Sequence, residues 1–350
     1  MSVTLTDEQR DFGELAREVL AKVGPARDLL QERDGVARRG RWAQLAEVGL
    51  VSATVPEAHG GLGLGARDMA LVAEEVGYFA LPEPLVETAC VAVPLLARHA
   101  PAGVADAWLP RIAEGRAVVT VQPPGASASA TFGQEADLVI VIEDGGVALC
   151  PKASGRTVSA RESADVLRRP ARVEPASETI RFGDAQVAAE VTASATAWTA
   201  VVLNGISRRL LDMSVEYARI REQFGRPIGS FQAVKHMLAD VATQIETVRA
   251  SAWYAVGIDD QDLEARIFAA SVAKWSATTA AAAANLNALQ VHGGIGFTRE
   301  NPLSLWLVRG KKLEALWGTA NFHARILGEQ LMQADDLVEA FGPTLAEQAA

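Results

Sequence analysis

Along the chain the spacing of apolar positions changes twice, from helical to alternating and back to helical. Over residues 5–22, Phe12, Leu15, Ala16, Val19 and Leu20 fall on one helical stripe, and Thr6 with Gln9 fits a capping box at its start. Residues 41–50 keep helical spacing. Pro56 to Gly65 is a glycine-rich loop, and two more helical stretches, 66–80 and 84–99, are separated by Pro82 and Pro84. The pattern predicts a helical first domain over residues 1–116.

Strand-like alternation follows. Ala117 to Val121 is apolar and β-branched. Leu138–Ile142 and Val147–Cys150 flank the turn Glu143-Asp144-Gly145-Gly146, which reads as a hairpin, and Glu178–Phe182 alternates as a strand. A small β domain is expected over residues 117–188. From about residue 189 the helical period returns. Val234, Leu238, Val241, Ile245, Val248 and Ala252 recur at spacings of four and three, the seam of a helix bundle over residues 189–350. The run Ala280 to Ala284 reads as a close-packing surface, and Ala346 to Ala350 as a frayed tail.

Composition narrows the class. Of 350 residues, 49% are hydrophobic, which suits a globular protein of two or three domains. No apolar run is long enough for a membrane span and the N-terminus lacks a leader pattern, so a soluble, cytoplasmic protein is expected. The formal charge of −10 argues against nucleic acid as a partner but leaves room for an anionic ligand on a local basic patch. Cys90 and Cys150 read as ordinary buried thiols. The five histidines show no metal-ligand spacing, and no nucleophile elbow is present. Gly60-Gly61-Leu62-Gly63 lacks the preceding strand and the following Lys–Ser/Thr pair of a phosphate loop.

One stretch carries more. From Tyr217 to His236 a helix is expected to end near Phe224, turn at Gly225 and Pro227, and restart at about Ser230. Arg221 then sits at a helix end, where its planar fork suits a diphosphate. The whole stretch, Arg-x-Gln-Phe-Gly-x-Pro-Ile-x-x-Phe-Gln-x-Val-x-His, closely resembles the acyl-CoA dehydrogenase family. Thr4 to Gln9, Pro56 to Gly63 and Gln290 to Phe297 resemble it too, in family order. The resemblance implies an α+β, mostly α fold: an N-terminal helical domain, a shortened middle β domain and a C-terminal four-helix bundle. It also implies FAD as cofactor and an acyl-CoA thioester as substrate, oxidised across its α and β carbons.

By the same resemblance, Arg221, Gln223, Phe224, Gln232, Gln290, Gly293 and Gly294 grip the ADP part of a neighbouring subunit's FAD, and Thr319 and Asn321 also contact FAD. The chain departs from the family where its own chemistry should be. The glutamate that usually precedes the Gly-Thr pair is Trp317, directly before Gly318-Thr319, and tryptophan accepts no proton at neutral pH. The other family position for that base, in Thr192 to Ala200, holds no acid. Glu190 and Glu314 lie near these two positions as candidates for a relocated base. The family's first flavin loop survives only in part as Val121 to Ser127, and the Trp-Ile-Thr flavin strand has no counterpart.

The retained and missing parts together resemble the shorter, catalytically incomplete subunit of actinobacterial heteromeric acyl-CoA dehydrogenases, which oxidise bulky acyl-CoAs including steroid side-chain thioesters. The expected reading is a subunit that is not catalytic alone and pairs with a longer dehydrogenase chain as α2β2. Two alternatives stay open: a self-sufficient homo-oligomeric dehydrogenase with a relocated base, and a flavin-free scaffold or CoA-ester binding protein.

Overall fold

The computed structural model describes residues 5–24, 29, 36–176, 179–258, 262–298 and 301–333. Helix α1 (Asp7–Val23) opens with the expected box: Thr6 Oγ1 accepts from Gln9 N at 3.2 Å, and Gln9 Oε1 accepts from Thr6 N at 3.1 Å. Ala16 and Leu20 are buried, but Leu15 faces outward, so the stripe is narrower than expected. α2 (Val36–Glu47) ends three residues short of the expected 50, and Gly49 makes the left-handed turn that follows. α3 is Ala66–Tyr78. A π-helical stretch, Glu87–Ala92, runs into α4 (Val93–His99). α5 (Ala102–Ala113), which carries Pro110, is a further helix beyond the expected stretches.

Among the described residues the β region has six strands: β1 (Val119–Gln122), β2 (Leu138–Glu143), β3 (Gly146–Pro151), β4 (Thr157–Ala160), β5 (Ala171–Glu174) and β6 (Ile180–Phe182). The hairpin β2–β3 turns at Asp144-Gly145 as expected. One sheet runs β1-β2-β3-β6, with β1 parallel to β2, and β4–β5 form a separate pair. The continuous apolar run of β2 has a simple cause. Leu138, Ile140 and Ile142 join the main core, while Val139 and Val141 face a second cluster with Ala130, Ala148, Cys150 and Val173. Glu178 of the expected strand 178–182 lies outside the described residues.

Four long elements make the bundle: α6 (Ala185–Ile220), α7 (Gln232–Gly257), α8 (Leu263–His292) and α9 (Leu303–Ala315), with α10 (Ala320–Gln333) against α8. The helix before the Arg221 turn ends at Ile220, not near Phe224. Two-residue strands β7 (Glu222–Gln223) and β8 (Arg226–Pro227) form a tight hairpin there instead. Phe224 and Gly225 both have positive φ, +53° and +75°, which is the geometry a two-residue hairpin loop needs. On α7 the expected seam is buried at Val241, Ile245, Val248 and Ala252, but only half-buried at Val234 and Leu238. Ala280, Ala281 and Ala284 pack inside, as the small-residue run suggested. The expected tail at 346–350 lies outside the described residues.

The N-terminal helices are locked to the bundle where α3 crosses α6. A Cβ at Gly77 would meet Val202 O at 2.1 Å, and one at Gly205 would meet Glu74 O at 1.9 Å, so only glycine permits this approach. Beside the crossing, buried Glu74 accepts from Asn204, Arg208 and Arg249, each at 3.0 Å. A carboxylate so enclosed is tolerated only because it is paired and hydrogen-bonded.

Candidate functional site

The residues expected to hold cofactor fall into two groups. The first lies at one end of the bundle. Tyr217 near the end of α6 stacks on His292 at the end of α8, ring centroids 4.6 Å apart. His292 is buried, its Nδ1 2.8 Å from Ala288 O, which fits a structural role. This stack sets the Arg221 hairpin beside the turn that begins at Gly293, whose φ of +61° suits glycine. Arg221 caps α6 with its backbone N–H to Tyr217 O, and the hairpin closes through Ile228 N to Arg221 O at 2.8 Å. The backbone of Arg221 is thus fixed while its side chain stays exposed, with no hydrogen bond or ion pair among the described residues. Gln223, Gln232, Gln290, Gly293 and Gly294 are exposed as well.

Phe224 is the odd member. It is 92% exposed in a left-handed conformation that a bulky residue adopts at a cost, and its one ring neighbour among the described residues is Phe231, edge-on at 6.2 Å. Ile220 and Phe297 nearby are also exposed apolar residues. This end therefore presents a diphosphate-suited arginine, three amides, a glycine pair and uncovered apolar surface.

The second group surrounds Trp317. Trp317 is 8% exposed and also left-handed, with φ +61°, and Gly318 follows at +105°. The turn is clamped from behind by residues the sequence reading missed. Fully buried Lys274 donates to Glu314 O and Gly318 O, each at 3.0 Å, and to Thr278 Oγ1 at 3.2 Å. His323 donates from Nε2 to Trp317 O at 3.0 Å and accepts at Nδ1 from Ser271 Oγ at 3.2 Å. Burial pushes the Lys274 ammonium down to about 7. Burial, with the nearby Lys274 charge, lowers His323 to about 4. A lysine placed amid the small residues of α8 was the available signal for this clamp.

Trp317 separates two cavities. One of about 240 Å³ opens between the β2–β3 turn and the bundle, bordered by Pro124, Asp144, Thr192, Thr196 and Phe322. The other, about 30 Å³, is lined by Glu87, Arg168 and Arg309 among apolar side chains. Arg168 pairs with Glu87, and Arg309 pairs with Asp165 and donates to Leu81 O at 2.9 Å. Burial lowers the Arg168 guanidinium below its usual value, and its Nε has no partner among the described residues.

Neither candidate base borders these cavities. Glu190 accepts from Gln186 at 3.0 Å and pairs with His99 at 3.3 Å and Arg266 at 3.7 Å. Glu314 is held by Lys311 at 2.9 Å and Asn285 at 3.4 Å. Thr319 and Asn321 are exposed beside the Trp317 turn. Lys274 and His292 both lie on α8, and a helical rise of ~1.5 Å per residue separates them by about 27 Å. Within one chain, then, Thr319 and Asn321 do not converge with the Arg221 group.

The remnant flavin loop is also engaged. Gln122 is buried, donating to Val173 O at 3.0 Å and accepting from Val173 N at 2.7 Å. Arg172 takes the carbonyls of Gly125 and Ala126 at 2.9 and 2.8 Å. These residues are spent on holding β1 and its loop to β5. The residues around Trp317 therefore do not fit a flavin ring with a base above it, whereas those at the Arg221 end fit an ADP group.

Comparison with known proteins agrees with this architecture. Residues 6–116 match the acyl-CoA dehydrogenase N-terminal domain and residues 185–332 the C-terminal domain. The acyl-CoA dehydrogenase IpdE2 of Mycolicibacterium smegmatis is 33% identical over 282 residues, covering 79% of this chain and 83% of that protein. The chain belongs to the acyl-CoA dehydrogenase family. FAD is the cofactor of this family. Among solved structures, the ChsE4-ChsE5 complex from Mycobacterium tuberculosis is similar with a TM-score of 0.87 at 25% identity, covering 96% of this chain and 100% of that one. A steroid ACAD variant, Tcur3481-Tcur3483, gives 0.84 at 27% identity, covering 94% and 99%. The family's two helical domains thus flank, in this member, a β region, and Trp317 lies in the C-terminal one.

Proposed function

We propose that this chain is the non-catalytic subunit of a heteromeric, FAD-dependent acyl-CoA dehydrogenase. It lends Arg221, Gln223, Phe224, Gln232, Gln290, Gly293 and Gly294 to the ADP part of the FAD of a longer partner subunit in an α2β2 assembly. The partner would carry the glutamate that removes the α proton, and FAD, when bound, would supply the acceptor for the β hydride. Here Arg221 neutralises and orients the diphosphate, and the glycine pair lets backbone N–H groups approach it.

The observation that carries this reading is the separation of the two groups: the ADP-suited residues are exposed and unengaged, while the base position is a buried tryptophan behind a fully bonded turn. A bulky acyl-CoA, with a steroid side chain as the leading class, is the proposed substrate, because similar structures include a two-protein complex and a steroid ACAD. The test is to purify the chain alone and co-expressed with a longer relative bearing the glutamate. The reading expects a nearly colourless, inactive chain alone, and a yellow, active complex. One FAD per chain in the protein purified alone would favour a self-sufficient homo-oligomer, and a colourless complex would favour a scaffold.

A further inference from the structure

The outward face of α8 carries no charge. Between Val272 and His292 the titratable residues are Lys274 and His292, and both are buried. What the helix shows to solvent is Trp275, 44% exposed, Thr279, Leu286, 68% exposed, and Gln290, with Ala282 half-buried among them. These positions recur at intervals of four, three, four and four, which keeps them on one side of the helix. The helices packed against α8 differ. α7 exposes Lys235, Asp240 and Glu246, and α10 exposes Arg325 and Glu329. In a chain with 22% charged residues, an exposed helix face bare of charge over four turns, with a tryptophan and a leucine uncovered, has the make-up of the centre of a protein interface.

The strip leads into the residues suited to ADP. Gln290 belongs to both, and Gly293 and Gly294 follow it. Past that turn Phe297 is exposed, as are Ile220 and Phe224 at the adjoining hairpin. We propose that this continuous surface, from Trp275 along α8 to Phe297 and the Phe224 hairpin, is the seat of the longer partner subunit. The inference rests on the reading that a partner's FAD lies at the Arg221 end: a chain whose FAD reaches Gln290 and Gly293 comes over the same end of α8, and the uncharged strip continues from there. Size points the same way. From Trp275 to Gln290 the face is about 22 Å long and one helix, ~10 Å, wide, roughly 220 Å². A specific interface takes about 800 Å² per partner, so the strip has to be covered together with the hairpin end, by a body as large as a subunit.

The experiment co-expresses the chain with a longer relative bearing the glutamate and reads mass by light scattering. Leu286→Arg and Thr279→Arg each put a charge in the middle of the strip, at exposed positions that leave the interior alone. Glu14→Arg, on the outer face of α1, is the control. Wild type and Glu14→Arg should form the complex. Leu286→Arg and Thr279→Arg should weaken it at least about a hundredfold, because a charge would be buried without a partner, while the urea midpoint of each chain alone stays at the wild-type value. A complex of unaltered affinity in both strip variants would overturn the proposal and leave the shared-flavin reading standing. Wild type that does not associate with the longer chain would overturn that reading first, and this one with it. Leu286→Arg that dissolves only a self-dimer of this chain, with the mixed complex intact, would overturn the proposal in favour of a second copy.

Discussion

Phe224 and Trp317 share an uncommon feature, a left-handed backbone on a large aromatic residue, and little else. Phe224 is 92% exposed at the tip of a two-residue hairpin, with one edge-on neighbour. Trp317 is buried, its carbonyl held by His323 and the next one by Lys274. Strain of this kind costs on the order of 1–3 kcal/mol and persists only where the surroundings enforce it. At Trp317 the enforcement is internal: three donated hydrogen bonds from one lysine and a histidine behind the turn. At Phe224 the hairpin fixes the backbone, yet the side chain and its neighbours are left uncovered. One region is thus closed within the chain, whereas the other leaves a large aromatic side chain uncovered.

This contrast is open to direct attack. The largest effect is expected at Lys274. Lys274→Ala leaves a cavity and removes the donor from two half-buried carbonyls, so unfolding in urea should show a loss of about 3–5 kcal/mol. A loss below about 1 kcal/mol would mean that the turn is not held from behind.

Next comes pH. His323 has a folded value near 4 against about 6.5 in the unfolded chain. The unfolded state therefore binds the extra proton first as pH falls. The stability from neutral, buried His323 is present above about 6.5 and declines towards 4, by about 3 kcal/mol. Denaturation curves at pH 7 and 4.5 for wild type and His323→Gln should show this slope in the former and a shallower one in the latter.

Trp317→Glu sharpens the comparison differently. It restores a carboxylate at the family's position but not the flavin strand or loop, so the isolated variant should show no acyl-CoA dehydrogenase turnover. Efficient turnover would mean that the chain's own flavin site is intact. The smallest change in stability is expected for Arg221→Ala, within about 0.5 kcal/mol of wild type, since its side chain is exposed and unbonded.

Much of this was legible in the residues. The capping box at Thr6 and Gln9, the β2–β3 hairpin and the buried half of the α7 seam follow from local chemistry and period. What escaped notice was of two kinds. Short or solvent-facing elements carry no alternation: β4 is exposed throughout, and β7–β8 are two residues each, so the Arg221 turn read as a helix end. Non-local polar contacts have no local signature either. Lys274 meets Glu314 and Gly318, Arg309 meets Asp165, and Gln122 meets Val173 only after the chain has folded. The tryptophan at 317 was plain in the sequence, but that its turn is locked from behind was not.

The central claim is that the exposed end completes a cofactor site on a partner. Its most direct test is FAD per complex, with the mass in solution, for wild type, Arg221→Ala and Arg221→Lys co-purified with the longer subunit. A charge-assisted contact to phosphate is worth roughly 1.5–3 kcal/mol, so Arg221→Ala should bind FAD about ten- to a hundredfold more weakly in an intact complex. Added FAD should recover part of the activity, and lysine should rescue poorly because a point charge does not reproduce the fork. FAD affinity unchanged in Arg221→Ala, whether the complex holds or falls apart, would contradict the account.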